Sequence, residues 1–441
     1  MRIGTCGQAD PDTAAGKAAK VPTSSPQPIT AAAQAPALAG AALKILFLGF
    51  PAQGHVNPSL GLVRELARRG HRVTCLLTEA YREKVQAAGG VLKPYPLEFE
   101  MDTLELRLGN WRSIRRLVEL FRCVLAEAER EIPRFDFVFY DSLIYFGQAL
   151  AARAGVPSAC SVTTFAVNDT IVTEALASGG PGFSLVRNRF IRARLPGLLE
   201  RIAPGMVPER LRDVFDLMKN PLSGLKIVYT TRSVQPHADE FDETFLFIGP
   251  AIYERVPEPS FPLERLKGRV VYVSMGTIAN AAMGFYKRCL EAFADWDVTV
   301  VMSVGRRIDV GKLRNVPGNF LVFPHVPQLE VLRRADAFIT HGGMNGVSEG
   351  LYYGVPLVVI PQSLDQPLVA RRIRELEAGV WIPKKEVTAA SLRDAVRLVL
   401  EDGRYGRRCR EIAASFRAAD GCGKAAEEIE RMVGRVPGMI P

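Results

Sequence analysis

Apolar residues fall into short blocks along most of the chain, and the exception is its beginning. Residues 1–42 are dominated by Ala, Pro, Ser, Thr and Gln and have no repeating apolar face. Such a segment buries too little surface to offset the entropy of ordering, so it reads as a flexible extension. Order begins at KILFLGF (44–50), an apolar run of the kind found in a strand covered on both faces. After the loop PAQGHVN comes PSLGLVRELARRG, where Leu60, Val63, Leu66 and Ala67 share one helical face and Gly70 supplies the stop. HRVTCLLTE then reads as a second strand, which completes a βαβ unit.

The alternation continues through FDFVFYD (135–141), the helical LIYFGQALAARAG and VPSACSV, and predicts a doubly wound parallel sheet. Residues 165–205 lack a clear period, as expected of segments that shape a pocket. The segment 251–262, with three prolines, reads as a linker. Beyond it RVVYVSMGT, VTVVMSVG, NFLVFPHV, AFITHGG and VPLVVIP are strand candidates separated by helices. The expected architecture is α/β: an extension (1–42), a first domain (43–250), the linker (251–262) and a second domain (263–441). Ligands of such sheets bind beyond the carboxyl ends of the strands, which directs attention to the loops after KILFLGF, FVFYD, YVSMGT, AFIT and VVIP.

Composition narrows the class. In 441 residues, 48% hydrophobic and 23% charged is ordinary for a globular protein. The net charge of +9 allows an anionic ligand, but over so long a chain it does not imply nucleic acid. Seven cysteines without a CxxC pair fit free thiols in a reducing, cytoplasmic compartment. No apolar run reaches the ~18 residues of a membrane span, so no stable membrane insertion is expected.

Several motifs compete for the chemistry. Gly49–Gly54 has the GxxxxG spacing of a phosphate loop, but His55 and Val56 stand where Lys and Ser/Thr are required, which disfavours an NTPase. His55 is instead a candidate general base, with a loop histidine that merely caps or hydrogen bonds about equally plausible on this evidence alone. Gly346–Gly350 matches GxSxG, yet no strand precedes Ser348 directly and no histidine follows it. Asp295–Trp296–Asp297 resembles a DxD metal site but reads as a solvated turn. The richest stretch is 325–367, where His341, Gly342 and Gly343 lie between a strand and a helix and offer backbone N–H groups to a diphosphate. Glu349 suits a ribose, and Asp365 with Gln366 suits sugar hydroxyls.

Residues 325–367 resemble the donor-binding signature of the GT-B glycosyltransferases that use UDP-sugars, and FPAQGHVNPSLGLVRELARRGHRV with VYVSMGT resembles their macrolide-type bacterial branch. The resemblance runs from Lys44 to the region of Met432. It implies two Rossmann-like domains facing a cleft. It assigns Gln328 to the base, Ser274 and Thr277 to the phosphates, His341 with Gly342, Gly343 and Asn345 to the diphosphate, Glu349 to the ribose, and Asp365 and Gln366 to the sugar. His55 corresponds to the catalytic base and Asp141 to the carboxylate that orients it. The family's stacking Trp is His325 here, and the Ser that follows the motif Asn is Gly346.

The expected reaction is inverting transfer of a sugar, glucose first among candidates, from a UDP-sugar co-substrate to a hydroxyl of a hydrophobic small molecule such as a macrolide, polyketide or phenol. No metal or other cofactor is expected. Trp111, Phe121, Phe165 and Phe183 are the candidate acceptor-lining aromatics. Two alternatives remain at this stage. A lipid-acceptor enzyme would use the arginines at 107, 112, 115, 116, 187, 189, 192 and 194 at a membrane surface, and a non-catalytic auxiliary protein would keep only the fold.

Overall fold

The computed structural model describes residues 41–99, 111–177, 224–253, 261–276, 283–362, 365–419 and 421–434, with isolated positions between 194 and 219. Residues 1–40 of the proposed extension, Arg107, Phe183, Arg187, Arg189, Arg192 and Thr277, with the side chains of Trp111 and Arg112, therefore lie outside the described residues. Two parallel sheets form the framework. The first runs β3 (Val91–Pro94), β2 (Arg72–Leu77), β1 (Lys44–Leu48), β4 (Phe137–Asp141), β5 (Ser158–Val162), β6 (Lys226–Val228), β7 (Phe245–Phe247). The second runs β10 (Phe320–Phe323), β9 (Thr299–Ser303), β8 (Val270–Ser274), β11 (Ala337–Thr340), β12 (Leu357–Val359), β13 (Gly379–Trp381).

Side-chain alternation explains the apolar runs. On β1, Ile45 and Phe47 enter the cluster beneath helix Gln53–Arg68, while Leu46 and Leu48 enter the cluster on the other face. Both faces are covered, so neither can be polar. In the second sheet Val271 and Val273 point one way from β8, and Val270 and Tyr272 the other. The strand order reverses direction between β1 and β4 in the first sheet and between β8 and β11 in the second. Each reversal is stitched by a stacked aromatic pair in register: Phe47 on Phe139 at 4.6 Å, and Tyr272 on Phe338 at 4.7 Å. Crevices at such reversals are where ligands of open parallel sheets bind.

Three short strands, β3, β6 and β13, escape the hydrophobic pattern because they span only three or four residues. The end of the chain crosses back to the first sheet. Helix Gly421–Gly434 inserts Ala425, Ala426, Ile429 and Val433 into the cluster that holds Ile45, Phe47 and Val63. Its outer face is tied by Arg69 to Glu430 at 3.1 Å and by His71 to Glu430 at 2.9 Å.

The docking of this helix is tight at its first residue, where a Cβ on Gly421 would stand 2.2 Å from the Ile248 carbonyl oxygen. Backbone cannot yield cheaply there, so Gly421→Ala should lower the Tm, consistent with an overpacking cost of about 1–3 kcal/mol. Gly284→Ala, in the exposed first turn of helix Met283–Phe293 with nothing near its Cβ, should leave the Tm unchanged or raise it. Equal melting of the two variants in scanning calorimetry would contradict this account of the return helix.

Candidate active site

Three neighbouring strands of the first sheet each deliver one side chain to a single point. After β1 the chain turns through Phe50–Ala52, and the Ala52 carbonyl accepts the N–H groups of His55 and Val56, both at 2.9 Å. A helix therefore starts at Gln53, inside the segment expected to be loop, and His55 sits in its first turn. Pro58 lies within this helix. Pro58 has no N–H to donate, and one residue on the Ser59 hydroxyl donates to the His55 carbonyl at 3.0 Å, which holds the turn that carries the imidazole. Asp141 is the last residue of β4 and is fully buried. His55 Nδ1 lies 2.9 and 3.1 Å from its two oxygens, and one of these also accepts the Leu143 N–H at 2.9 Å. Thr163, the first residue beyond β5, places Oγ1 3.1 Å from the same Nδ1. Sequence reasoning missed Thr163, although its position at the end of the strand beside β4 was a usable signal.

The electrostatics of His55 follow from these partners. Burial disfavours charge on the imidazole, but the Asp141 carboxylate, through its charge and its hydrogen bond, outweighs burial. With a smaller push from Asp365 the His55 pKa is raised above its ordinary value. The imidazole keeps 19% of its surface exposed. Nδ1 is committed to Asp141, which leaves Nε2 as the nitrogen able to take a proton.

In the second sheet β8 ends at Ser274 and β11 at Thr340, adjacent strands that pair in register at those residues. His341 follows Thr340, and its ring lies between two glycines. A Cβ on Gly276 would stand 2.4 Å from His341 Cε1, and one on Gly343 2.5 Å from its Nε2. Gly276 also has a φ of +73°, so the position is reserved for glycine on two counts. His341 Nδ1 is buried with no hydrogen-bond partner. Burial lowers its pKa to about 4, so the imidazole is neutral and offers one N–H rather than a positive charge. Gly343 caps helix Met344–Tyr352, the N-terminus of which presents unpaired backbone N–H groups.

Gln328, Asn345 and Glu349 are also brought together. Glu349 is fully buried and accepts from Gln328 Nε2 and, at 3.0 Å, from Asn345 Nδ2, while Tyr272 donates to Gln328 Oε1 at 2.8 Å. The sequence reading placed Gln328 and Glu349 on different parts of a donor, whereas here they bond to each other. Asp365 opens helix Gln366–Glu375, and Gln366 Oε1 accepts the Gln362 N–H at 2.7 Å. Burial raises the Asp365 pKa, against smaller opposing effects of its own backbone N–H and of His55. Asp365 and His55 thus each have a small influence on the other's charge.

Around the base, Phe50 meets the His55 ring edge to face at 5.5 Å and packs on Phe121, which contacts Tyr145 at 6.0 Å. Phe121 is thus beside the site as expected. Phe165 is not: it is 3% exposed and enters the core cluster of Val234, Tyr272 and Phe338, so it is corrected from acceptor wall to packing residue. Ser348 of the GxSxG match is buried within helix Met344–Tyr352, and Asp295 and Asp297 are exposed in a turn. Among the described residues no group of three or more His, Cys, Asp or Glu side chains is placed to hold a metal ion. No helix among them is long and apolar enough to cross a membrane.

Comparison with known proteins agrees with this geometry. Residues 287–432 match the family described as erythromycin biosynthesis protein CIII-like, C-terminal domain. The chain is 35% identical to the uncharacterized UDP-glucosyltransferase YojK of Bacillus subtilis over 87% of its own length and 96% of the relative's. It is 30% identical to the oleandomycin glycosyltransferase of Streptomyces antibioticus, over 88% of this chain and 90% of that one. Among solved structures, the calicheamicin glycosyltransferase CalG4 superposes with a TM-score of 0.71 at 30% identity, covering 90% of this chain and all of the other. The glycosyltransferase of kitacinnamycin gives 0.73 at 32%, covering 89% and 99%. Two parallel-sheet halves, chemistry gathered at the reversal of each sheet, and this similarity along nearly the whole length establish that the chain is a glycosyltransferase of GT-B fold belonging to the macrolide-type bacterial branch of the UDP-glycosyltransferase family.

Proposed function

We propose that this glycosyltransferase moves glucose from UDP-glucose to a hydroxyl of a hydrophobic small molecule with inversion at the anomeric carbon. The observation that carries the reading is the pairing of His55 Nδ1 with the buried Asp141 carboxylate at 2.9 Å. In the proposed step His55 Nε2 takes the acceptor hydroxyl proton while that oxygen forms its bond to the anomeric carbon. The bond from that carbon to the diphosphate oxygen breaks, and UDP departs with the electron pair. Asp141 fixes the tautomer and supports the imidazolium. Attack opposite the leaving group turns an α-linked donor into a β-glycoside.

The second half supplies the donor site in this reading. Ser274, Thr277, the backbone at Gly342 and Gly343, Asn345 and the neutral His341 receive the diphosphate, whose growing charge is met by oriented N–H groups without a metal. Gln328 meets the base and Glu349 the ribose, whose hydroxyl replaces one of the amides that Glu349 now accepts. Asp365 and Gln366 face the sugar. Glucose is favoured by the name of the relative YojK and by polar groups that suit a fully hydroxylated sugar. A hydrophobic, aromatic-tolerant acceptor is supported by Phe50, Phe121 and Tyr145 around His55. Six free cysteines among the described residues suit a reducing cytoplasm. Of the arginines that favoured a lipid acceptor, Arg115 pairs with Glu119 on an exposed helix face.

His55→Ala should lower kcat for an aliphatic alcohol acceptor by about 10²- to 10⁴-fold, the usual worth of positioned proton transfer. UDP affinity by calorimetry should remain near that of the parent. An acidic phenol, already partly ionised, should lose less. Near-normal turnover of the alcohol would remove His55 from the chemistry.

The base works only when neutral, and its pKa is raised, so activity is lost as pH falls through a value above the ordinary histidine pKa of about 6.5. The acid limb of kcat/KM should lie there. Asp141→Asn removes the raising influence and should move that limb to lower pH while lowering the plateau rate. A limb that stays put in Asp141→Asn would assign it to another group.

Glu349→Gln should weaken UDP-glucose binding by about tenfold or more, as expected when a charged hydrogen bond to the ribose is lost. UDP-glucose should also exceed dTDP-deoxysugars in kcat/KM. Unchanged donor affinity would take Glu349 out of the site, and a preference for deoxysugars would overturn the choice of glucose.

A further inference from the structure

The segment Thr163–Ala166 touches the base, the core around the second sheet and a strut between them. Thr163 Oγ1 lies 3.1 Å from His55 Nδ1, and Phe165 is buried with Val234, Tyr272 and Phe338. Ala166 is gripped on both backbone groups by one side chain. Its N–H donates to Gln235 Oε1 at 3.0 Å, and Gln235 Nε2 donates to its carbonyl at 3.0 Å and to the Pro236 carbonyl at 3.0 Å. Gln235 is 1% exposed, so these bonds are its satisfaction and not incidental surface contacts.

The strut continues into the helix that begins beside the sugar-facing residues. Arg372, on helix Gln366–Glu375, donates from Nε to the Val234 carbonyl at 2.9 Å and from Nη2 to the carbonyls of Ser233 at 3.0 Å and Gln235 at 3.5 Å. Its remaining nitrogen meets Glu375 at 3.3 Å. A planar fork reaching three consecutive carbonyls is a rigid attachment that an ammonium group cannot reproduce. Beside it Arg371 pairs with Glu174, which also accepts from His237 at 3.0 Å, around a cavity of about 180 Å³. The charges lining that cavity are mutually compensated, so it gives no reason to expect a bound anion.

We propose that Arg372 and Gln235 are positioning residues that fix His55 relative to the donor sugar, acting through the Thr163–Ala166 segment. The proposal rests on the reading of His55 as base and of Asp365 and Gln366 as sugar-facing. Both ends of the reacting pair then hang from one route of hydrogen bonds and short covalent stretches: helix 366–375 carries the sugar-facing residues and Arg372, Arg372 holds residues 233–235, Gln235 holds Ala166, and three residues before it Thr163 contacts the imidazole. Errors of about 1 Å between a base and its target cost on the order of 10²-fold in rate, which is the scale on which such a strut acts.

The test uses the full chain with UDP-glucose and an alcohol acceptor. Arg372→Gln, on a side chain still 20% exposed, removes the fork, and Gln235→Glu keeps the shape while losing the donors to Ala166 and Pro236. Each should lower kcat by about 10- to 100-fold with UDP affinity within about twofold of the parent, and the double variant should be no worse than the poorer single. Arg372→Lys should not restore the rate. Thr163→Val should lower kcat with UDP affinity retained, because the contact that links this segment to the imidazole is lost, and Thr163→Ser should restore it. Parental kcat in both Arg372→Gln and Gln235→Glu, with His55→Ala still inactive, would overturn the strut and leave the base intact. Parallel loss of UDP binding and kcat would overturn it in favour of general structural damage. An active His55→Ala enzyme would instead refute the reading beneath it.

Discussion

A strand covered on both faces can carry no polar side chain that lacks a partner, and this constraint organises the whole molecule. Lys44–Leu48, Phe137–Asp141, Val270–Ser274 and Ala337–Thr340 are apolar or paired along their lengths, and the first groups with free chemistry appear where each strand stops. Because the sheets are parallel, all those stops lie at one edge of each sheet. The order reversals at β1/β4 and β8/β11 then open a crevice at that edge, where His55 meets Asp141 and His341 follows the Ser274–Thr340 pair. The stacked pairs Phe47–Phe139 and Tyr272–Phe338 lie beneath these crevices and hold the strand spacing on which the distances above them depend.

The parts most legible from sequence were those governed by this rule. Runs such as KILFLGF and AFIT identify themselves because two-sided burial demands consecutive apolar residues, and the loops after them identify the site by elimination. His55 was singled out that way, and the family resemblance supplied Asp141 and the roles of the donor residues. What stayed hidden depended on tertiary partners. The helix begins at Gln53 instead of near Pro58 because the Ala52 carbonyl and the Ser59 hydroxyl secure its first turn, and neither contact is visible in a periodic pattern. Phe165 looked like a pocket aromatic, yet a neighbouring Val234 and the core around Tyr272 claim it. Thr163 meets His55 through one hydrogen bond and Gln235 holds Ala166 through two, across long sequence separations that no local window can reveal.

Glu349 shows how a buried carboxylate is satisfied by its own neighbours. A buried carboxylate must be paired, and in the absence of a ribose it is paired by Gln328 and Asn345, the neighbours assigned to the same donor. The Tyr272 hydroxyl holds the other end of Gln328, so the aromatic pair that stitches the second sheet also anchors this polar chain.

The two site histidines show how environment divides one chemistry into two roles. Both are shielded from water, which alone would keep each neutral. His55 has a buried carboxylate against Nδ1, so its pKa rises, whereas burial alone acts on His341 and its pKa falls to about 4. Groups whose environments push their affinities for a proton apart settle which of them takes it. Of the two rings His55 is therefore the better able to hold a proton, and His341 stays neutral with a hydrogen bond to give. The sign of this difference requires a carboxylate beside the base and none beside the second imidazole, which Asp141 and the paired glycines at 276 and 343 provide.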